Sequence, residues 1–394
     1  MHTKEEPVKQ NKILEFIRKE PVTFVSGILA FASVFIVHPD KEYLGYIHWS
    51  TLSMLLSLML ITSGLKSLGV FKAIGRRMLH HATSPRSIVF ILVGLCFFLA
   101  PFITNDVALI TFVPFAIFIL EMAGLKEYII PTLTLQTIAA HMGSSISPVG
   151  NPHNLYLHEL SGQLSGQTSG QFIRQMSPYF VFAGILLTIA VLIITRKSKK
   201  LSFIRTHLPG TKIKKKDRKK VVLYCVLFAV CVLSVARIIN CYLSLGIVAI
   251  AALVLDRKNF RNPDYCLLLT FAFLFIFVGN IGRITAIQDF LASIVEGREI
   301  VTSIFASQVI SNVPASILLP KFSSEIMQIC IGTDIGGLGT LIASMANLIS
   351  FKQYTKLEYS SIKKYILWFT VINVLFLIPL GGAAVLMQST GIPL

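Results

Sequence analysis

The sequence predicts an all-α polytopic membrane protein that is built from two inverted repeats. More than half of its 394 residues are apolar and only 14% are charged, too few to cover the surface of a soluble domain of this length. Several apolar runs approach the roughly 20 residues that a helix needs to cross a bilayer. The same order of spans and polar interruptions occurs twice. We expect about nine transmembrane spans, two re-entrant hairpins and two broken helices.

Basic residues predict the side of the membrane on which each segment lies. They are concentrated in an N-terminal tail (1–20) and in a loop between two spans (195–220). Lys and Arg accumulate in short cytoplasmic loops, so both segments are predicted to be cytoplasmic and the C-terminus to lie outside. The net charge of +17 therefore reflects topology and contact with anionic lipids. No nucleic-acid partner is expected, because aromatic or base-reading groups do not accompany the charge.

The first repeat is expected over residues 21–194. After two spans and an amphipathic interfacial segment, an apolar stretch (88–120) is too long for one span and lacks a loop for two. Thr104, Asn105 and Asp106 lie in its middle, which predicts a re-entrant hairpin with these residues at its tip. The next stretch (128–160) contains two glycines and two prolines within a dozen residues, and this predicts a broken helix.

A linking span (221–240) leads to the second repeat (241–394), which contains the same features. Its hairpin is expected over 300–320, and its broken helix over 326–351. Residues 143–155 align with residues 336–348. Because the first repeat starts inside and the second outside, the halves are predicted to be inverted, as in alternating-access transporters.

The polar interruptions are the predicted binding site. Half-helices that begin within the membrane present N–H groups to anions, and those that end there present carbonyl oxygens, which suit Na⁺. Any one of these polar residues could instead serve helix packing. The predicted substrate- and ion-binding residues are Thr104, Asn105, Asp106, Ser144, Ser145, Ser147, Gly150, Asn151, Asn154, Ser311, Asn312, Gly336, Gly337, Gly339, Thr340 and Asn347. Na⁺ is the candidate metal near Asn105 and Asn312.

These motifs resemble the ion transporter superfamily. The loop that runs from Ser147 to Asn154 is most similar to the citrate-transporter-like anion permeases. The resemblance implies a homodimer with a scaffold and a moving transport domain, in which both tips contact substrate and Na⁺. The dicarboxylate branch has Ser-Asn-Thr at each tip. Here Asp106 and Val313 occupy the third positions, so half of the expected hydroxyl groups are absent.

Four titratable residues carry open interpretations. Asp106 is either a proton or cation ligand or the N-cap of the returning helix. His141 and His153 are either satisfied polar side chains or proton carriers. Asp334 is expected near the surface or at a helix end.

The predicted function is secondary active transport of a small anion, either di- or tricarboxylate-like or an inorganic oxyanion, in the inner or plasma membrane. The sequence contains no nucleotide-binding P-loop, so coupling to Na⁺ or H⁺ is expected and no cofactor. The alternative is a Na⁺/H⁺ antiporter or an arsenite-type metalloid efflux carrier. No catalytic constellation indicates an enzyme, and the six cysteines form no CxxC pair.

Overall fold

The computed structural model describes residues 20–79, 82–196 and 217–389, and within these ranges the regular elements are helices without any β-strand. The predicted cytoplasmic tail and most of the basic loop lie outside the described residues. The helices of the N-terminal half are α1 Pro21–Val34, α2 Tyr43–Tyr46, α3 Trp49–Ser67, α4 Val70–Leu79, α5 Pro85–Ile103, α6 Asn105–Met122, α7 Ile129–Ser144, α8 Pro152–Ser165 and α9 Ser169–Ile194.

The C-terminal half is also a series of helices. Its helices are α10 Arg218–Val235, α11 Cys241–Asp256, α12 Tyr265–Ile281, α13 Thr285–Val295, α14 Glu299–Ile310, α15 Asn312–Leu318, α16 Ile326–Gly336, α17 Met345–Tyr354 and α18 Ile362–Ser389. Side-chain caps begin several of them. Ser84 and Thr168 form capping boxes at α5 and α9, and Asn240 and Ser344 accept first-turn N–H groups at α11 and α17.

Four of the described helices are long and apolar enough to cross a membrane: α5, α6, α9 and α18. The number rises to six if two bent pairs each count as one span, namely α3 with α4 (55°) and α11 with α12 (87°). The chain is thus a multi-pass membrane protein by helix length and composition. The predicted count of nine spans stays a prediction, because helices such as α1, with 14 residues, fall short of full crossing length.

The two predicted hairpins differ in size. In the first, α5 and α6 have 19 and 18 residues, so each is long enough for a crossing. In the second, α14 has 12 residues and α15 only seven, so neither can span a bilayer. The second hairpin therefore has the length of a re-entrant element, whereas the first has the length of two spans.

Helix α7 is the centre of the core. All of its 16 residues are buried, and it packs against α5, α6, α9, α17 and α18. A helix that is buried all round needs no amphipathic pattern, and its sequence has none. Around this centre, α1 packs along α12 and α3 packs along α11. Thr23 and Thr270 share a 2.8 Å hydrogen bond across the first of these pairs.

Candidate functional site

Both predicted hairpin tips turn through one residue with the same unusual backbone geometry. Thr104 joins α5 to α6 with φ 68° and ψ 151°, and Ser311 joins α14 to α15 with φ 74° and ψ 152°. This region of backbone space is almost restricted to glycine, and holding another residue there costs about 1–3 kcal/mol. The surrounding structure must therefore impose these two turns.

Each tip is held by the unwound loop of the broken helix that follows it. The N–H of Asn105 donates to the carbonyl oxygen of Gly150 (3.1 Å), and the N–H of Asn312 donates to that of Ala343 (2.9 Å). Gly150 and Ala343 occupy matched places, since each lies two positions before the second half-helix, α8 or α17. The two tips are thus fixed by the same backbone contact.

The helix breaks lie where the glycines and prolines predict them. Helix α7 ends at Ser144 and α8 begins at Pro152, while α16 ends at Gly336 and α17 begins at Met345. Close approach explains two of the glycines. A Cβ atom on Gly143 would lie 2.2 Å from the carbonyl oxygen of Phe97 in α5, and one on Gly150 would lie 2.1 Å from that of Ser144.

A buried carboxylate joins the two broken helices. Asp334 lies in the last turn of α16, so the expectation of a helix-end acid is confirmed, but it is only 2% exposed, so the expectation of a near-surface acid is wrong. Its Oδ1 atom accepts from Asn151 Nδ2 (3.0 Å) and lies 3.1 Å from His153 Nε2, and its Oδ2 atom accepts from Asn154 Nδ2 (2.9 Å). These donors come from the loop and first turn of α8, and they compensate the carboxylate for lost hydration. Asn151 and Asn154 therefore hold the other broken helix in place.

A second contact also joins the two broken helices, and here the asparagine belongs to the second broken helix and its partner to the first. Asn347 Nδ2 donates to the carbonyl oxygens of Gly337 (3.0 Å) and Thr340 (2.9 Å), so the Oδ1 atom of Asn347 faces His141. Because that oxygen can only accept, His141 donates from Nε2 over 3.1 Å. His141 precedes Asn154 by the same spacing as Asp334 precedes Asn347. Matched positions thus exchange partners, although one carries an imidazole and the other a carboxylate.

The predicted serines of the first break have local partners. The hydroxyls of Ser144 and Ser145 donate to the carbonyl oxygens of His141 and Met142, and Ser147 Oγ accepts from the Val149 N–H. The hydroxyl protons of Ser144 and Ser145 are engaged with the backbone, so in this conformation these two serines can offer only oxygen lone pairs to a ligand. Ser147 accepts from the loop and keeps its hydroxyl proton to donate.

The second break depends on a residue that the sequence analysis missed. Gln308 in α14 donates to the carbonyl oxygens of Gly336 and Leu338 (2.7 and 2.8 Å) and accepts from the N–H of Thr340 (3.0 Å). Gly339 adopts φ 105° in this loop, beside the Gln308 amide. The available signal was a long amide side chain three residues before the tip residue Ser311.

Several buried polar atoms of the two helix breaks and of the second tip have no hydrogen-bond partner among the described residues. They are Asn151 Oδ1, Asn312 Oδ1, His141 Nδ1 and Thr340 Oγ1. Gly337 is close to two of these side chains, since a Cβ atom there would lie 3.1 Å from both Asn312 Nδ2 and His141 Nδ1. Buried polar groups are normally paired, so these atoms indicate capacity for a polar ligand.

Asp106 follows the first tip and is half-buried. Its N–H donates to Asn105 Oδ1 (2.7 Å), whereas no side-chain cap is formed at Thr104. Asn105 is therefore the side chain that accepts a first-turn N–H, and the carboxylate of Asp106 lines a cavity.

No group of three or more His, Cys, Asp or Glu side chains that could hold a metal ion occurs in the described ranges. Na⁺ near Asn105 and Asn312 stays a prediction.

A cavity adjoins each tip. The tip-1 cavity has a volume of about 450 Å³. Its lining includes Thr104 and Asp106 of the first tip, Val149 of the first helix break, Lys66 of α3 and Lys72 of α4. The tip-2 cavity, of about 580 Å³, is bounded by the second tip and by α1 and α12, among them Ser311, Ile342, Val25 and Phe277. Thr104 and Val149 match Ser311 and Ile342 in the alignment of the halves, yet only the tip-1 cavity is polar.

A multi-pass helical fold in which two hairpin tips meet two broken helices defines the chain as a membrane transporter. Comparison with known proteins gives the family: the profile of the citrate transporter family, CitMHS, matches residues 13–323, and the chain belongs to that family.

Two relatives cover most of the chain. It is 29% identical over 330 residues to the uncharacterized transporter MJ0456 of Methanocaldococcus jannaschii, spanning 84% of this chain and 87% of the relative. It is 30% identical over 323 residues to the inner membrane protein YbiR of Escherichia coli K12, spanning 81% and 84%. Among solved structures, the YdaH transporter of Alcanivorax borkumensis has the same fold at 14% identity, with a TM-score of 0.55 and 96% and 98% coverage.

Proposed function

We propose that this chain is a secondary active transporter that carries a small anion by alternating access, with Na⁺ or H⁺ as the coupling ion. The cargo is a di- or tricarboxylate or an inorganic oxyanion. Two inverted repeats form the transport unit, the N-terminus lies in the cytoplasm, and the C-terminus lies outside. The protein acts as a homodimer, as the family resemblance implies.

The observation that carries this proposal is the duplicated tip contact. Thr104 and Ser311 share one strained conformation, and each tip Asn donates its N–H to the matched carbonyl, Gly150 or Ala343. Discontinuous helices that meet in two related halves are the usual architecture of binding sites in secondary transporters. The buried atoms without partners beside these tips supply polar contacts for a ligand.

Membership of the citrate transporter family supports an anion as cargo. The side chains of this chain supply both signs of charge around the first tip, because Lys66, Lys72 and Asp106 line one cavity. Asp106 favours the second candidate, a Na⁺/H⁺ antiporter or metalloid efflux carrier, since a carboxylate at the tip accepts a cation, a proton or a neutral hydroxyl donor better than an anion.

Transport into proteoliposomes separates the two candidates. Purified protein is reconstituted, and uptake of ¹⁴C-citrate, ¹⁴C-succinate and radiolabelled arsenate is measured under an imposed Na⁺ gradient, an imposed pH gradient and no gradient. We expect gradient-driven uptake of at least one anion, and its loss in Asn105→Ala and Asn312→Ala. If no anion moves while Na⁺ drives proton flux, the second candidate replaces the first.

A further inference from the structure

We propose that Lys66 and Lys72 form an anion-docking site in the tip-1 cavity, where the anionic cargo first binds. The inference rests on the proposed function and adds to it the place of first binding. The ligand is a free anion that carries two or more carboxylate charges. A lipid phosphate, which carries one negative charge in phosphatidylglycerol, is the other anion that the test distinguishes.

A bend in the chain brings the two lysines to one cavity. Helices α3 and α4 meet at 55°, and Gly69 between them has φ 73°. Lys66 belongs to the last turn of α3 and Lys72 to the first turn of α4, and both line the tip-1 cavity. Neither lysine forms an ion pair with a described residue, because the ion pairs in these ranges involve His153, Arg237 and Arg283.

The lysines are also the free donors of this wall. The hydroxyl of Thr62 donates to the carbonyl oxygen of Leu58, and that of Ser67 donates to Gly64. The hydroxyl of Ser63 is engaged with Asn259 Oδ1 (2.6 Å). These three groups therefore offer only acceptor lone pairs to the cavity, so an anion on this wall must accept its hydrogen bonds from the two ammonium groups.

The rest of the cavity directs an anion toward the lysines. Two carboxylates, Asp106 at the tip and Asp264 before α12, also line the cavity, and both repel negative charge. The matched cavity beside Ser311 contains no charged side chain among its described lining residues. The fold thus forms this kind of cavity without lysines, so the two cations are not required to build it.

Binding measurements test the docking site independently of transport. Wild-type protein and the Lys66→Gln, Lys72→Gln and double variants are placed in nanodiscs of neutral phosphatidylcholine, and binding of ¹⁴C-citrate and ¹⁴C-succinate is measured by equilibrium dialysis. Each single variant is expected to bind about five- to tenfold more weakly, and the double variant more weakly still, because each loses one close charge contact. Wild-type affinity is expected to fall with NaCl more steeply than that of the variants.

Matched controls separate this site from general surface charge. Lys258→Gln removes an exposed lysine that does not line the cavity, so it is expected to leave affinity unchanged, and Lys66→Arg is expected to retain most of it. An equal loss in Lys258→Gln overturns the proposal. So does an effect of the lysine variants that occurs only in nanodiscs with anionic phosphatidylglycerol, since a lipid phosphate would then be the ligand.

The outcomes also distinguish this proposal from the proposed function. Wild-type protein that transports an anion while the double variant binds it equally well refutes the docking site alone. Wild-type protein that neither binds nor transports any of the anions refutes both.

Discussion

Replacing Thr104 by glycine should stabilise the protein and at the same time impair it. Thr104 holds φ 68° and ψ 151°, a conformation that costs a residue other than glycine about 1–3 kcal/mol. Glycine adopts it freely, although it adds about 0.5–1 kcal/mol of unfolded-state entropy. The hydroxyl of Thr104 makes no cap hydrogen bond that would be lost. The balance is a gain of about 0–2.5 kcal/mol in the free energy of unfolding.

The assay is reversible denaturation in detergent micelles, followed by tryptophan fluorescence. Thr104→Ala still forces a Cβ atom into the same backbone region, so no comparable gain is expected. Thr355→Gly is the matched control, because Thr355 is also half-buried but has φ −66°. Glycine there should destabilise the protein by about 0.5–1 kcal/mol.

Transport is the second measurement on the same variants. If the strained turn keeps the Asn105 N–H on the Gly150 carbonyl, a glycine tip samples other conformations and the transport rate falls although the fold is more stable. A Thr104→Gly variant that is no more stable than Thr104→Ala would refute the claim that the tip stores strain.

Three further predictions concern packing, burial and charge. Gly143→Ala should destabilise the fold by about 1–3 kcal/mol, since the new Cβ atom would lie 2.2 Å from a carbonyl oxygen of α5. Gly94→Ala should not, because its Cβ atom would meet only the Phe98 side chain, at 4.0 Å; thermal unfolding in detergent compares the two variants. Asp334→Leu should cost about 3–5 kcal/mol by the same measurement, because it leaves buried donors without an acceptor. The hydrogen bond from Arg283 holds the pKa of Asp40 below its ordinary value. The stability that this pair adds is therefore present above about pH 4 and lost as pH falls through the lowered pKa, so the difference in unfolding midpoint between wild type and Asp40→Asn should disappear in acid.

Both tips and both breaks could be located from the sequence because their signals are local. A polar triplet in an apolar run, or two glycines with two prolines, disfavours continuous helix whatever packs around it. The duplication supported the prediction of both tips, since Asn105 and Asn312 have similar neighbours in the sequence. The predicted bounds, 88–120 and 300–320, already made the first hairpin the longer one. The prediction did not foresee that α5 and α6 would each be long enough to cross a membrane, because that depends on where these helices begin and end.

The contacts between the halves could not be predicted in the same way. The burial of Asp334 was missed because its own neighbours in the sequence give no reason for it. Its donors, Asn151 and Asn154, lie some 180 positions earlier in the chain. Gln308 was missed for a related reason: its value comes from carbonyl oxygens that the broken α16 leaves free, and only the folded hairpin places the amide beside them.

The two halves share backbone geometry but not side-chain chemistry, and this difference bears on how many anions one chain can hold. The tip turns, tip hydrogen bonds and helix breaks are duplicated almost position by position. Charge is not: Asp334 is matched by His141, and the lysine-lined tip-1 cavity is matched by an apolar one. A duplicated backbone suits a unit that exposes one site alternately to two sides, because each conformation can be related to the other by the repeat. Because only the tip-1 cavity is lined by lysines, the proposed docking site occurs once in the chain. We therefore expect one anion bound per chain.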